Sequence, residues 1–205
     1  MSSGQPDTIG NIGIVILAAG ESARMGEPKQ LLDYRGRPLL RHAAECALAL
    51  GSGPVAVVLG AFSEKIRPAL DGLPLLIVEN HDWCEGMGTS LRTGLATLLA
   101  RHPDITAVIF MLSDQPLVSK SLLGEIIALH AAAGHCIVAS EYDGNLGVPA
   151  LFARELFPEL LALDGTSGAR QIIRAHRESA VCVPFQQGAM DVDTPADYAR
   201  LRALR

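Results

Sequence analysis

Short, nearly unbroken apolar runs recur along the chain at Ile12–Ala18, Val55–Leu59, Leu75–Val78, Ala107–Leu112 and Cys136–Ala139. Strands of a parallel sheet are covered on both faces and read in this way, so each run is expected to be a strand buried on both sides. Between the runs, Pro38–Leu50, Ser63–Leu70, Thr89–Leu99 and Ser119–Ala133 carry apolar residues at the helical interval. The alternation predicts βαβ winding, with helices packed on a mostly parallel sheet. Beyond residue 140 the pattern loosens. There it predicts strands at Leu146–Phe152 and Val181–Phe185, short helices at Arg154–Leu163 and Gly168–Ala175, and a closing helix at Pro195–Leu204. Ligands of an open sheet with right-handed crossovers sit outside the carboxyl ends of its strands, so the residues just after each strand carry the functional question.

Composition narrows the answer. No Pro/Ser-rich or charged linker divides the 205 residues, so residues 11–205 are read as one domain, preceded by a disordered stretch at residues 1–10. Hydrophobic residues make up 49% and aromatics only 4%, leaving Val, Ile, Leu and Ala to fill the core. A formal net charge of −5 offers no basic field for holding a long nucleic acid. Cys46, Cys84, Cys136 and Cys182 show neither metal-finger nor disulfide-framework spacing. The start of the chain lacks a basic and apolar leader, and no apolar run reaches bilayer length. A soluble protein of the reducing cytoplasm, without membrane contact, is the expectation.

The first strand runs into Leu17-Ala18-Ala19-Gly20-Glu21-Ser22-Ala23-Arg24-Met25-Gly26-Glu27-Pro28-Lys29. Small residues and glycines there let the backbone approach a ligand and point N–H groups at phosphate. The spacing is neither G-x-G-x-x-G nor G-x-x-x-x-G-K-[ST], and Pro28 opposes a helix through the stretch, so neither the dinucleotide nor the P-loop design is met. Arg24 offers a planar fork for bidentate phosphate contact, and Lys29 a compact ammonium for charge moving onto a leaving pyrophosphate.

The run Leu17-Ala18-Ala19-Gly20-x-Ser22-x-Arg24-Met25-Gly26-x-x-Lys29-x-Leu31-Leu32 resembles the signature of the MobA-like nucleotidyltransferases, particularly the molybdenum cofactor cytidylyltransferases. The resemblance implies a Rossmann-like three-layer α/β sandwich of the nucleotide-diphospho-sugar transferase type. It also implies that Leu17, Ala18, Ala19, Gly20, Ser22, Arg24 and Lys29 bind a nucleoside triphosphate.

The fourth predicted strand delivers Ser113-Asp114-Gln115-Pro116 to the carboxyl edge of the sheet, making Asp114 the first candidate metal ligand. A hard cation such as Mg²⁺ takes one or two carboxylates, with phosphate oxygens and waters completing its shell. Near the other end, Asp191-Val192-Asp193-Thr194-Pro195-Ala196-Asp197 puts Asp191 and Asp193 on one face of an extended segment. The segment is similar to the family's Asp-x-Asp-Thr-Pro-x-Asp ending, which implies that Asp193 joins Asp114 at the metal. Thr194 and Asp197 read instead as a capping pair for the last helix.

The nucleobase is expected against the loops after the second and third strands, at Gly60-Ala61 and Glu79-Asn80, with the Asn80 amide reading its edge. Gly86-Met87-Gly88-Thr89-Ser90-Leu91 opens a helix, where Ser90 either meets phosphate or ribose or shares in capping. Ala18-Ala19-Gly20-Glu21-Ser22 stands where family guanylyltransferases usually carry Ala-Gly-Gly-x-Gly, so the resemblance favours CTP over GTP. On the acceptor side, Gly165-Thr166-Ser167-Gly168-Ala169-Arg170 departs from Gly-Asp-x-Gly-Ala-Arg, and Gly147-Val148-Pro149 departs from Gly-His-Pro.

By resemblance, then, CMP passes from CTP to the phosphate of molybdopterin in a Mg²⁺-dependent reaction catalysed through Arg24, Lys29 and Asp114, with a molybdenum hydroxylase as the partner enzyme. A CMP transferase for methylerythritol phosphate or a sugar phosphate, a GTP-using guanylyltransferase, and a carrier of molybdenum cofactor without turnover stay open beside it.

Overall fold

The structure is a computed structural model describing residues 11–204, and the disorder expected of residues 1–10 lies outside the described residues. In chain order the strands are β1 Ile12–Ala18, β2 Asp33–Tyr34, β3 Arg37–Pro38, β4 Val55–Leu59, β5 Leu76–Glu79, β6 Ala107–Leu112, β7 Ile137–Tyr142, β8 Asn145–Ala153 and β9 Val181–Pro184. The helices are α1 Leu39–Leu50, α2 Ser63–Ile66, α3 Met87–Arg101, α4 Lys120–Ala133, α5 Phe157–Leu161, α6 Ala169–Ala175 and α7 Pro195–Ala203.

Apolar runs without polar interruption can satisfy both faces only inside a layered structure, and that is where they lie. A seven-stranded sheet runs β5-β4-β1-β6-β8-β7-β9. β1 pairs parallel with β4 and β6, and β4 parallel with β5; β8 is antiparallel to β6 and β7, while β9 is parallel to β7. Alternate residues of β1 feed opposite cores. Ile12, Ile14 and Ile16 pack with Leu40 and Ala44 of α1, Ile66 of α2 and Leu123 and Ile126 of α4. Val15 and Leu17 pack with Leu91, Leu95 and Leu98 of α3, Leu160 of α5 and Ile172 of α6. The result is the expected three-layer sandwich. On the second face α3 comes close to the sheet at Gly94, where a Cβ would lie 2.4 Å from Val15 Cγ1.

One expectation changes and one element is added. The run at Leu75–Val78 forms β5 at the edge of the sheet, where Leu76, Ile77 and Val78 are only partly buried because no strand covers their outer side. The hairpin β2–β3 carries no strand pattern, being two residues on each side; it is set by its turn, where Arg35 and Gly36 both have left-handed backbone, φ 55° and 80°. A third, smaller core joins this hairpin to the end of the chain, with Tyr34 and Leu39 against Val192 and Leu201. Among the described residues no helix is long and apolar enough to cross a membrane.

Candidate active site

The carboxyl ends of β1 and β6 open into a cavity of about 330 Å³. Its lining includes Leu17, Ala18, Ala19, Gly20, Glu21 and Lys29 from the first loop, Trp83, Cys84, Met87 and Ser90 from the approach to α3, and Asp114 after β6. Of the residues singled out in the sequence, Leu17, Ala18, Ala19, Gly20, Lys29, Ser90 and Asp114 are therefore cavity walls.

The first loop is held from behind by Gln30. This side chain is 1% exposed; its Nε2 donates to the carbonyls of Ala18 and Gly20, both at 3.0 Å, and its Oε1 accepts from Ser22 Oγ at 3.4 Å. Ser22 is left-handed, φ 57°, and its hydroxyl also accepts the Lys29 N–H at 3.2 Å. Ser22 thus fastens the loop to its own base and shapes the binding surface through the backbone. Gln30 escapes a sequence reading because one polar residue between Lys29 and Leu31 has no periodic signature; the two carbonyls it satisfies are visible only in three dimensions.

The end of the chain returns to the site through one backbone bond, Val192 N–H to the Asp114 carbonyl at 3.0 Å, with Val192 fully buried. Thr194 and Asp197 form the expected capping box at α7, and this fixes where the preceding carboxylates stand. Four charges then converge. Lys29 Nζ donates to Asp114 Oδ2 and, at 2.7 Å, to Asp193 Oδ1. Arg24 Nη2 donates to Asp193 Oδ2 at 2.8 Å. Burial pulls the Lys29 ammonium towards neutrality, but Asp114 and Asp193 outweigh it and raise its pKa above 10.5. Burial likewise opposes ionisation of Asp193, and contact with Lys29 and Arg24 overcomes it, so its pKa falls below 3.8.

Asp191 stands apart from those cations. Burial and the Asp114 charge push its carboxyl up to about 6, although Gln115 Nε2 donates to its Oδ1 at 3.1 Å. Asp114 Oδ1 is buried with no hydrogen-bond partner. An unmatched hard oxygen beside a second carboxylate suits a divalent cation. Among the described residues no group of three or more His, Cys, Asp or Glu side chains is placed to hold a metal. Asp114 and Asp193 are the two carboxylates that meet at the Lys29 ammonium, and one or two carboxylates are the protein share a hard cation takes when phosphate oxygens and water complete its shell.

Two candidate base contacts stand back from the cavity. Asn80 is 3% exposed, and its amide is spent on Thr89 Oγ1 at 2.8 Å, Ser90 Oγ at 2.9 Å and the Asp82 N–H at 3.0 Å. It orients Ser90 rather than facing the lining. Gly60 packs between Ala19 and Trp83, where a Cβ would lie 2.8 Å and 2.7 Å from their Cβ atoms. Its role is to let the first loop and the Trp83 segment close together. At the helix start, Thr89 Oγ1 donates within its own turn to the Gly86 carbonyl at 2.8 Å, whereas Ser90 lines the cavity. The loop at residues 164–168 presses on this turn: Gly88 N–H donates to the Gly165 carbonyl at 3.1 Å, and a Cβ on Gly88 would lie 1.8 Å from the Asp164 oxygen.

Residues 14–180 match the family model described as the MobA-like NTP transferase domain. The chain is similar to nicotine blue oxidoreductase of Paenarthrobacter nicotinovorans, 34% identical, covering 78% of this chain and 80% of the relative. It is also similar to the molybdenum cofactor guanylyltransferase of Xanthomonas euvesicatoria, 31% identical over 91% and 92%. Of five further curated relatives the chain spans only 24% to 27% of the length. Among solved structures, Rv0371c of Mycobacterium tuberculosis in complex with manganese superposes with a TM-score of 0.76 at 33% identity, covering 95% of this chain and all of that one.

Proposed function

The chain belongs to the MobA-like NTP transferase family and is a nucleotidyltransferase; from that premise we propose that it transfers CMP from CTP to the phosphate of molybdopterin with Mg²⁺, releasing pyrophosphate. The observation that carries the reading is the convergence of Arg24, Lys29, Asp114 and Asp193 at the mouth of the glycine-loop cavity. Asp114 and Asp193 would hold the divalent ion, which when bound supplies Lewis-acid stabilisation to phosphate oxygens; manganese in the related Rv0371c structure supports a divalent ion in this family.

The protein's own part is positioning and charge. The N–H groups of the first loop and the Ser90 hydroxyl receive the triphosphate, with Gln30 holding the loop carbonyls away from it. An oxygen of the acceptor phosphate, already ionised near neutral pH, forms a bond to the α-phosphorus as the bond from that phosphorus to the β-phosphate oxygen breaks, so no side chain need act as a strong base. Lys29 and Arg24 take up the negative charge on the departing pyrophosphate. Both cations now contact carboxylates, so the step requires them to exchange those partners for phosphate. Ala19, whose methyl lies in the wall beside Gly60, supports a pyrimidine over a purine. The four free cysteines suit a reducing cytoplasm.

The test is pyrophosphate release with Mg²⁺ and each of CTP, GTP, ATP and UTP, offering molybdopterin, methylerythritol phosphate and sugar phosphates separately. A reduced nicotinamide nucleotide is included because the Paenarthrobacter relative is named an oxidoreductase. CTP turnover with the pterin is expected, and Asp114→Ala is expected to abolish it while leaving the thermal melt cooperative. Preference for GTP or for another acceptor would replace the substrate, and tight CTP binding without turnover would make the chain a carrier.

A further inference from the structure

A second cavity, of about 340 Å³, lies on the other side of Asp191 and is lined by Tyr142, Asn145, Arg170, Ile173, Arg174, Arg177 and Asp191, among others. Arg170 and Arg174 are one turn apart on one face of α6, Arg177 lies in the turn that follows the helix, and all three line the cavity. Among the described residues none of the three forms an ion pair with a carboxylate; Arg170 donates only to the Tyr142 hydroxyl, at 3.3 Å. The chain as a whole has 22 acidic and 17 basic side chains, so a concavity with guanidinium walls runs against its charge background.

The wall is built. Tyr142 is 7% exposed and its hydroxyl donates to the Val148 carbonyl at 3.3 Å while receiving Arg170. Its ring fits because two neighbours are glycines: a Cβ on Gly147 would lie 2.4 Å from the Tyr142 oxygen, and one on Gly188 would lie 2.5 Å from its Cδ1. Glycine at both positions lets a rigid aromatic stand where its hydroxyl gives the exposed Arg170 a fixed partner. Asp143 and Asp191 also line the cavity, but Asp191 accepts from Gln115 at the end nearest Asp114. The cavity thus begins at the reacting edge and ends in arginines.

We propose that Arg174 and Arg177, with Arg170 behind them, bind a second anionic group of the acceptor, at the end remote from the phosphate that attacks the nucleotide. Guanidinium forks match oxyanions in a bidentate way and would offer nothing to an acceptor with a neutral tail. The substrate class is therefore a phosphorylated acceptor with two separated anionic ends. The inference rests on the nucleotidyltransferase reading for the word acceptor, although anion binding by the cavity can be measured alone.

The experiment uses the full chain and Arg174→Gln/Arg177→Gln, both surface changes, with inorganic phosphate as probe, titrated by ³¹P line broadening in a Lys29→Gln background so that the first loop competes less. Phosphate affinity is expected to fall at least ten-fold when the two arginines are replaced. CTP binding and turnover are measured with Lys29 intact; CTP affinity, read from the fluorescence of the single Trp83 in the nucleotide cavity, is expected to stay within two-fold. In steady state, KM for an acceptor with two anionic ends should rise at least ten-fold at unchanged kcat, with methylerythritol phosphate unaffected. Unchanged phosphate affinity, or equal weakening of CTP, would overturn the proposal. Absence of CTP binding in every variant would defeat the nucleotide reading while the phosphate titration still decides the arginine cavity.

Discussion

Lys29 stands where a divalent cation would be expected to stand, and replacing it by methionine separates its structural from its catalytic contribution. In the native chain its ammonium lies 2.7 Å from Asp193 Oδ1 and touches Asp114, with the Lys29 and Asp114 side chains only 14% and 13% exposed. At an effective dielectric of about 20, each such contact is worth roughly 5 kcal/mol before desolvation, and desolvation takes back most of it. What Lys29→Met leaves behind is two carboxylates facing each other, with Asp191 close by and one oxygen of Asp114 already without a partner. A loss of about 2–3 kcal/mol follows, which for a domain of this size lowers Tm by about 5–10 °C.

The same geometry predicts an opposite response to metal. In the native chain a divalent ion must displace the ammonium to reach both carboxylates; in the variant they are open to it. Saturating Mn²⁺ without nucleotide should therefore restore most of the lost stability in Lys29→Met, since an ion at about a hundred times its Kd contributes about 2.7 kcal/mol, while moving the native Tm less than half as far. Thermal melts with EDTA and with Mn²⁺ read both effects. Turnover should stay about 10²- to 10³-fold low even with metal, because the ion cannot follow the leaving pyrophosphate as Lys29 does. An unchanged melt in EDTA, or equal Mn²⁺ shifts in the two chains, would refute the arrangement.

Asp191→Asn should stabilise the protein by about 1–2 kcal/mol at pH 8, after allowance for solvent screening of a partly exposed group. The sign follows from a folded-state carboxyl raised from 3.8 to about 6: its ionisation in the fold carries a cost that grows as pH rises through that window, is small near pH 4 and vanishes below it. Melts at pH 4 and pH 8 check this, and a gain independent of pH would contradict it. Gln30→Leu leaves the Ala18 and Gly20 carbonyls without their partner; it should cost about 1–3 kcal/mol and weaken CTP at least ten-fold by Trp83 fluorescence. Gly88→Ala puts a methyl 1.8 Å from the Asp164 oxygen, so the loop at residues 164–168 must move; limited proteolysis should cut there faster than in the native chain.

Much of this was legible in the chain because burial on both faces leaves a signal that needs no partner to interpret: β1, β4 and β6 are written as apolar runs, and Asp114 follows directly from where one of them ends. The capping box at Thr194 was legible for the same reason, being local. What could not be read depends on distant groups meeting. Gln30 acts on carbonyls ten and twelve residues away, and the Asn80 amide is used up by Thr89 and Ser90, which makes it an orienting group where the sequence suggested a base contact. β5 reads as an interior strand because its composition does not record that it has a neighbour on one side only.

On the proposed reading, the position of β6 would let one fold bring two different substrates to a single carboxylate. It is parallel to β1 on one side and antiparallel to β8 on the other, so Asp114 stands at the seam between the two halves of the sheet. On the parallel side, loops leave the carboxyl ends of strands and line the first cavity, the place proposed for the triphosphate. On the antiparallel side, the β7–β8 hairpin supplies Tyr142 and Asn145, α6 supplies Arg170 and Arg174, and the turn after it Arg177. The returning segment at Val192 crosses the seam and sets Asp193 towards the first cavity and Asp191 towards the second. A change confined to the hairpin side should therefore alter the acceptor and spare the nucleotide, and a change in the first loop should do the reverse; Asp114 and Asp193, the pair that would hold the ion, should affect both.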